Sequence, residues 1–187
     1  MEDNLHRRGQ ALEDIFFQQR DRQLMERLTQ ELADKQAREA LASVSGISHE
    51  KVLQALVDQK IGPGNLVCLT LVPLVAVAWA DGEVQAEEAA AISRAAAESG
   101  IDAKSATGEL LSSWLRNKPS SELFEAWRLY VTSLKCTLAE SEYRHVGESV
   151  LGRTEGVAKA AGGFLGFGST SVSEKKVLDE IRTLLQA

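Results

Sequence analysis

Aromatic residues are scarce in this 187-residue chain, at 5%. Proline occurs three times, at Pro63, Pro73 and Pro119, and cysteine twice, at Cys68 and Cys136. Long alternating runs of Val, Ile and Thr are absent, which argues against a sheet. The two cysteines lie far apart inside apolar stretches. They read as buried, reduced core residues and leave no disulfide framework or Cys-based metal site. No basic cluster is present, since Arg7-Arg8 is the densest early spot. Lys and Arg number 21 against 27 Asp and Glu, a net charge of −6. Phosphate contacts need Lys and Arg, so binding to nucleic acid is not expected. The longest apolar run covers residues 66–80, is interrupted by Pro73, and falls short of the roughly 20 residues that cross a bilayer. No transmembrane segment is expected. The opening Met1-Glu2-Asp3-Asn4 is acidic and lacks the apolar stretch of a secretory leader, so a cytoplasmic location is expected.

What the chain does have is helix-forming composition. Ala, Leu, Glu, Gln and Arg abound, and an apolar fraction of 44% is enough for a real core. The expectation is an all-α fold, a bundle of about seven helices behind a helical arm. Residues 1–45 form the charged amphipathic arm, and 46–187 the compact domain. In the arm, Leu12, Ile15 and Phe16, then Leu24, Leu28 and Leu32, then Ala37, Leu41 and Val44 mark a helical stripe with a polar gap over 18–23. The arm reads as one long helix, or as two broken near Asp21. Ser45-Gly46 stops it.

In the domain, Ser48 is the expected N-cap of a helix bearing Val52, Leu53, Leu56 and Val57. Asn65 caps a central buried helix over 66–80, which Pro73 kinks. Asp81-Gly82 turns the chain. A helix over 85–99 is closed by Gly100. Asp102 caps the next, with Leu110, Leu111, Trp114 and Leu115. Ser120 or Ser121 caps the strongest amphipathic helix, marked by Leu123, Trp127, Tyr130, Leu134 and Leu138. A glycine-containing helix with Tyr143, Val146, Val150 and Val157 follows, then a glycine-rich hinge or loop over 162–168. Ser173 caps the last helix, which carries Val177, Leu178, Ile181 and Leu184. The segment 47–53 resembles 172–178 in its apolar N′ residue, Ser cap and apolar pair. Two independent uses of one capping chemistry explain that better than duplication does.

The most informative segment is Ala80-Asp81-Gly82-Glu83-Val84-Gln85-Ala86-Glu87-Glu88. Four carboxylates fall within eight residues, and no base follows until Arg94. Asp81, Gly82 and Glu88 match positions five, six and twelve of an EF-hand loop, but Val77 and Trp79 at positions one and three cannot ligate. Asp81, Glu83, Glu87 and Glu88 are therefore the candidate ligands of a loose divalent-cation site, with calcium the fitting ion. One helical start cannot aim all four at a point, and a tighter site needs a distant acid such as Glu174. The same residues also read structurally: Asp-Gly as a turn, Glu88 bonding back to the backbone of Gln85, and Glu87 and Glu88 complementing the helix dipole.

Other constellations fall away. The glycine-rich stretch lacks the Gly-Lys-Ser/Thr ending of a phosphate loop. His6, His49 and His145 are scattered. His145, with Glu142 and Glu148 three residues to either side, reads as a solvated helix face. No nucleophile–base pair can be argued and nothing indicates a pocket for acid–base work, so the chain is not expected to be an enzyme. A hydrolase with an acidic metal site is the third reading.

The run Ala76-Val77-Ala78-Trp79-Ala80-Asp81-Gly82-Glu83-Val84, continuing through Glu88 to Ile92, resembles the TerB-like domain. That family includes tellurite-resistance proteins and the N-terminal domain of some membrane-anchored J-domain co-chaperones. The resemblance covers 48–187, with only the short motif specific. It implies an all-helical fold, a cation-binding acidic cluster and a non-enzymatic role in stress response or protein association, and by position its motif residues here are Asp81, Gly82 and Glu88. Ser173-Glu174 stands as the counterpart motif but lacks Asp-Gly. Separately, Arg8-Gly9-Gln10-Ala11-Leu12-Glu13-Asp14-Ile15-Phe16-Phe17 is similar to the start of bacterial zeta-type inhibitors of the rotary ATP synthase. That similarity implies the alternative, an inhibitor or adaptor whose N-terminal helix docks into a partner protein.

Overall fold

The computed structural model describes residues 2–161 and 171–186; side chains of the first helix are described from Gln19 onward, Asp21 excepted. The glycine-rich stretch 162–168, His6 and the arm side chains Leu12, Ile15 and Phe16 lie outside that description. The described residues form eight α-helices and one 3-10 helix, with no strand among them: α1 Glu2–Ser45, α2 Glu50–Asp58, the 3-10 helix Leu66–Thr70, α3 Val72–Ala78, α4 Ala86–Glu98, α5 Ala106–Arg116, α6 Ser121–Thr137, α7 Glu140–Ala161 and α8 Val172–Gln186. The fold is all-α, as the composition implies.

The arm is one helix of 44 residues with no break near Asp21. It ends at Gly46, whose φ of 69° is a left-handed stop. Every residue described from Gln19 to Ala33 is exposed. The last turns of α1 belong to the core, because Leu41 is fully buried, α1 packs on α2, and Arg38 hydrogen-bonds Gln54.

The buried centre is α3, which packs against the 3-10 helix, α4, α6, α7 and α8. Most of residues 66–80 are buried, with Val67 exposed at 37%, but they are not one kinked helix. The 3-10 turn ends at Thr70, and α3 begins at Val72 with Pro73 in its first turn. Proline has no N–H to give and its φ suits a helix start, so it opens α3 rather than bending a longer helix. Trp79 closes this element, its indole Nε1 donating to the Trp114 carbonyl at 2.8 Å.

Three caps differ from expectation. The α2 N-cap is His49, not Ser48. Asn65 does precede the 3-10 helix, but its carboxamide accepts from the Gly62 N–H at 2.7 Å and donates to the Lys60 carbonyl. The α5 cap is Ser105, which accepts from Gly108 N–H at 3.1 Å. Asp102 instead turns the chain by accepting from Lys104 N–H. A Cβ at Gly108 would stand 2.3 Å from the Asp102 carbonyl oxygen, so this fold-over requires glycine.

Cys68 is buried and Cys136 is exposed, which corrects the expectation that both are core. Cys136 lies nine positions, about 180°, from Trp127 on α6, opposite the face that buries Leu123, Trp127 and Val131. Val146 is likewise 36% exposed.

Candidate functional site

α7 and α8 run antiparallel. Tyr143 Oη donates to the Leu184 carbonyl at 2.9 Å, and Arg182 pairs with Glu155 at 3.1 Å. Their backbones approach closely where α7 carries Gly147, since a Cβ there would stand 3.2 Å from the Leu185 carbonyl oxygen. α4 lies on α7, its C-cap Ser99 accepting from Arg153 at 2.8 Å. The result is that α4 and α8 start side by side.

Each of these starts is built alike. Gln85 precedes α4, and its backbone N–H donates to the Glu88 carboxylate at 2.9 Å. Ser171 precedes α8, its N–H donates to the Glu174 carboxylate, and its hydroxyl accepts from Glu174 N–H at 3.1 Å. Both acids occupy the third helical position of a capping arrangement, and both have an aliphatic residue four positions on, Ile92 and Leu178. The α8 cap is therefore Ser171. Ser173 sits inside the helix, and Val172, read as the apolar N′ residue, is 86% exposed. The likeness of 47–53 to 172–178 is not one of equivalent caps.

Among the described residues, Glu88 and Glu174 are the buried acids, at 1% and 3% exposure. Glu174 is close enough to act on Glu88 both as a charge and as a hydrogen-bond partner. Burial lifts the Glu88 carboxyl most. The Gln85 N–H opposes that lift, and the charges of Glu174 and Asp81 add to it, bringing the group to about 7. Burial beside another carboxyl disfavours the charged form of Glu88.

The four acids of the sequence motif do not converge. Asp81, Glu83 and Glu87 are exposed and only Glu88 turns inward. Asp81 makes the turn, its carboxylate accepting from the Glu83 N–H at 3.5 Å, while Gly82 supplies a φ of 103°. Two facing carboxylates suit a hard cation in charge and atom type. In number they fall short. Among the described residues no group of three or more metal-ligating side chains gathers, and no buried side-chain nitrogen or oxygen lacks a hydrogen-bond partner. His145 and His49 are exposed.

A second feature is a surface groove of about 440 Å³ framed by α3, α6 and α8, lined by Val75, Trp79, Phe124 and Val177 with Lys118 and Glu180. Among the described residues, no helix is long and apolar enough to cross a membrane. No family model, no curated protein and no solved structure matches the chain.

Proposed function

We propose that this chain is a non-enzymatic helical module of TerB-like type that acts in the cytoplasm by binding other proteins, in a stress-related setting. The observation that supports the reading is the meeting of Glu88 with Glu174. It gives the Asp81-Gly82-to-Glu88 motif a partner motif 86 positions later in the chain, on a helix start of the same design. On this reading the junction takes a divalent cation such as calcium only weakly. Glu88, Glu174 and Asp81 are its nearest acids and water supplies most of the shell, while Glu83 and Glu87 stay outside. Calorimetry with calcium, on the intact protein and on Asp81→Asn combined with Glu88→Gln, tests the cation. A weak heat lost in the variant is expected, and an equal heat in both removes the site.

The alternative is an adaptor or inhibitor whose N-terminal helix docks into a partner. It is favoured by the long exposed stretch of α1. Co-purification from native cells, with the whole chain and with a chain lacking residues 1–33, separates the two. A partner kept by the shortened chain supports the module, and a partner lost with the arm supports the adaptor.

A further inference from the structure

The groove framed by α3, α6 and α8 encloses about 440 Å³, within the range of roughly 300–1,000 Å³ typical of small-molecule sites. Val72, Val75, Ala76 and Trp79 line it from one face of α3, at helical spacing. Phe124 of α6 and Val177 of α8 line it from the other helices. Both aromatic rings are pinned from behind. The Trp79 indole N–H donates to the Trp114 carbonyl at 2.8 Å, and the Phe124 ring stacks on buried Trp127 with 5.2 Å between centroids. Neither ring can swing over the groove without giving up that contact, so the apolar site is preformed.

The charge of the groove is one-sided. Its acids, Glu125 and Glu180, are both paired with Arg128, at 3.1 and 3.6 Å. Its cation is Lys118, whose ammonium lies 3.5 Å from the Trp79 carbonyl at the end of α3. Among the described residues no carboxylate pairs with Lys118. Glu122 already draws on the hydroxyls of Ser120 and Ser121, so Lys118 alone is left to meet an anion. We propose that the groove binds a small apolar monocarboxylate, such as a medium-chain or aryl-substituted alkanoic acid. Its tail lies between Trp79, Phe124 and Val177, and its carboxylate sits on Lys118. A cationic amphiphile would meet Lys118 as a like charge, and a neutral one would leave it unpaired. The size of the groove favours such a ligand over a protein helix, because a specific protein interface covers about 800 Å² per partner. Burial of the tail supplies most of the affinity, and the exposed ion pair adds up to about fivefold. The proposal does not rest on the function proposed above, because neither Glu88 nor Glu174 lines the groove.

Octanoate, 1-octanol and octylammonium share one tail and differ in charge. Titration of each into the full chain at pH 7.5, with nitrogen-15 in its tryptophans, tests the site. Trp79, Trp114 and Trp127 give three indole N–H signals, and Trp79→Phe assigns the one in the groove. Octanoate should move the Trp79 signal with a Kd in the high-micromolar to millimolar range. 1-Octanol should bind up to about fivefold more weakly, and octylammonium more weakly again. Lys118→Met, a change at an exposed position, should erase the preference for octanoate over octanol and leave octanol as it was. Lys118→Glu should place octylammonium ahead of octanoate. Ala76→Phe, which fills the groove from a half-buried position, should abolish binding of all three. If octanoate produces no saturable movement of the Trp79 signal, the proposal is overturned and the groove is left to a partner protein or a second copy. Octanoate binding that survives Ala76→Phe also overturns it, because the tail then sits elsewhere, as on the exposed leucines of α1. Equal affinity for octanoate and octanol, or a preference that Lys118→Met leaves intact, overturns the assignment of the carboxylate to Lys118. Should Ala76→Phe lose helix by circular dichroism, Val177→Phe fills the same groove from α8 and is read in the same way.

Discussion

Replacing Glu88 by glutamine should stabilise the protein at alkaline pH and change little at acid pH. The carboxyl of Glu88 titrates at about 7 in the fold against 4.5 in a free chain, chiefly because burial disfavours its charged form. A raised acid favours the fold fully below about pH 4.5, where it is protonated in both states. Between there and 7 the unfolded chain loses its proton first, so stability falls as pH rises. Over that window of about 2.5 pH units the loss approaches about 3 kcal/mol, at 1.36 kcal/mol per unit. Glutamine keeps the shape, can still accept the Gln85 N–H, and can donate to Glu174. At pH 8 the variant should therefore gain up to about 3 kcal/mol, or about 6–12 °C in Tm for a chain of this size. Urea unfolding followed by circular dichroism at pH 5, 6.5 and 8 reads this directly. The wild type should weaken across the series more steeply than the variant. Parallel pH profiles, or a variant less stable than wild type at pH 8, would refute the account of two acids sharing one dry site.

Val75 is 2% exposed in α3, so Val75→Asp should unfold the domain: an unpaired buried carboxylate costs several kcal/mol, against a total stability of about 5–15 kcal/mol. An unchanged melting temperature would contradict that. Removal of residues 1–33 should leave a cooperative helical domain, whereas removal through residue 44 also deletes buried Leu41 and should cost at least about 2–5 kcal/mol; equal stability of the two shortened chains would show that Leu41 contributes nothing. Burial pushes the Cys68 thiol up to about 11, so a thiol reagent at pH 8 should label exposed Cys136 at once and Cys68 only after denaturation. Gly108→Ala should cost about 1–3 kcal/mol through overpacking on Asp102 and Ala103, measurable as a lowered urea midpoint.

Local chemistry was the legible part of this sequence. Leu123 and Trp127 announce the buried face of α6 by spacing alone, while Tyr130, Leu134 and Leu138, read with them, are only half-buried, and Glu88 reaches back to the Gln85 backbone as its position three residues on implies. Pro73 misled because proline both breaks and begins helices, and only the neighbouring 3-10 turn decides which. Asp102 misled for a related reason: an aspartate caps a turn as readily as a helix, and Gly108 lets the chain fold over before α5 starts. The facing of Glu88 and Glu174 depends on α4 and α8 both lying on α7. Nothing local to either helix start encodes that, although Glu174 could be named as the acid a tighter site would need. Cys136 could have been placed by counting its angle from Trp127 rather than by the apolar character of its neighbourhood.

The length of α1 has a hydrodynamic consequence. A helix of 44 residues reaches roughly 65 Å at 1.5 Å per residue, while a compact unit of some 140 residues is about 35–40 Å across. A particle with such a spike tumbles and diffuses like a much heavier sphere. Gel filtration calibrated with round standards will therefore return an apparent mass well above that of one chain, even for a pure monomer. Elution volume alone would counterfeit a dimer, and only methods that weigh the particle independently of its drag can count its copies.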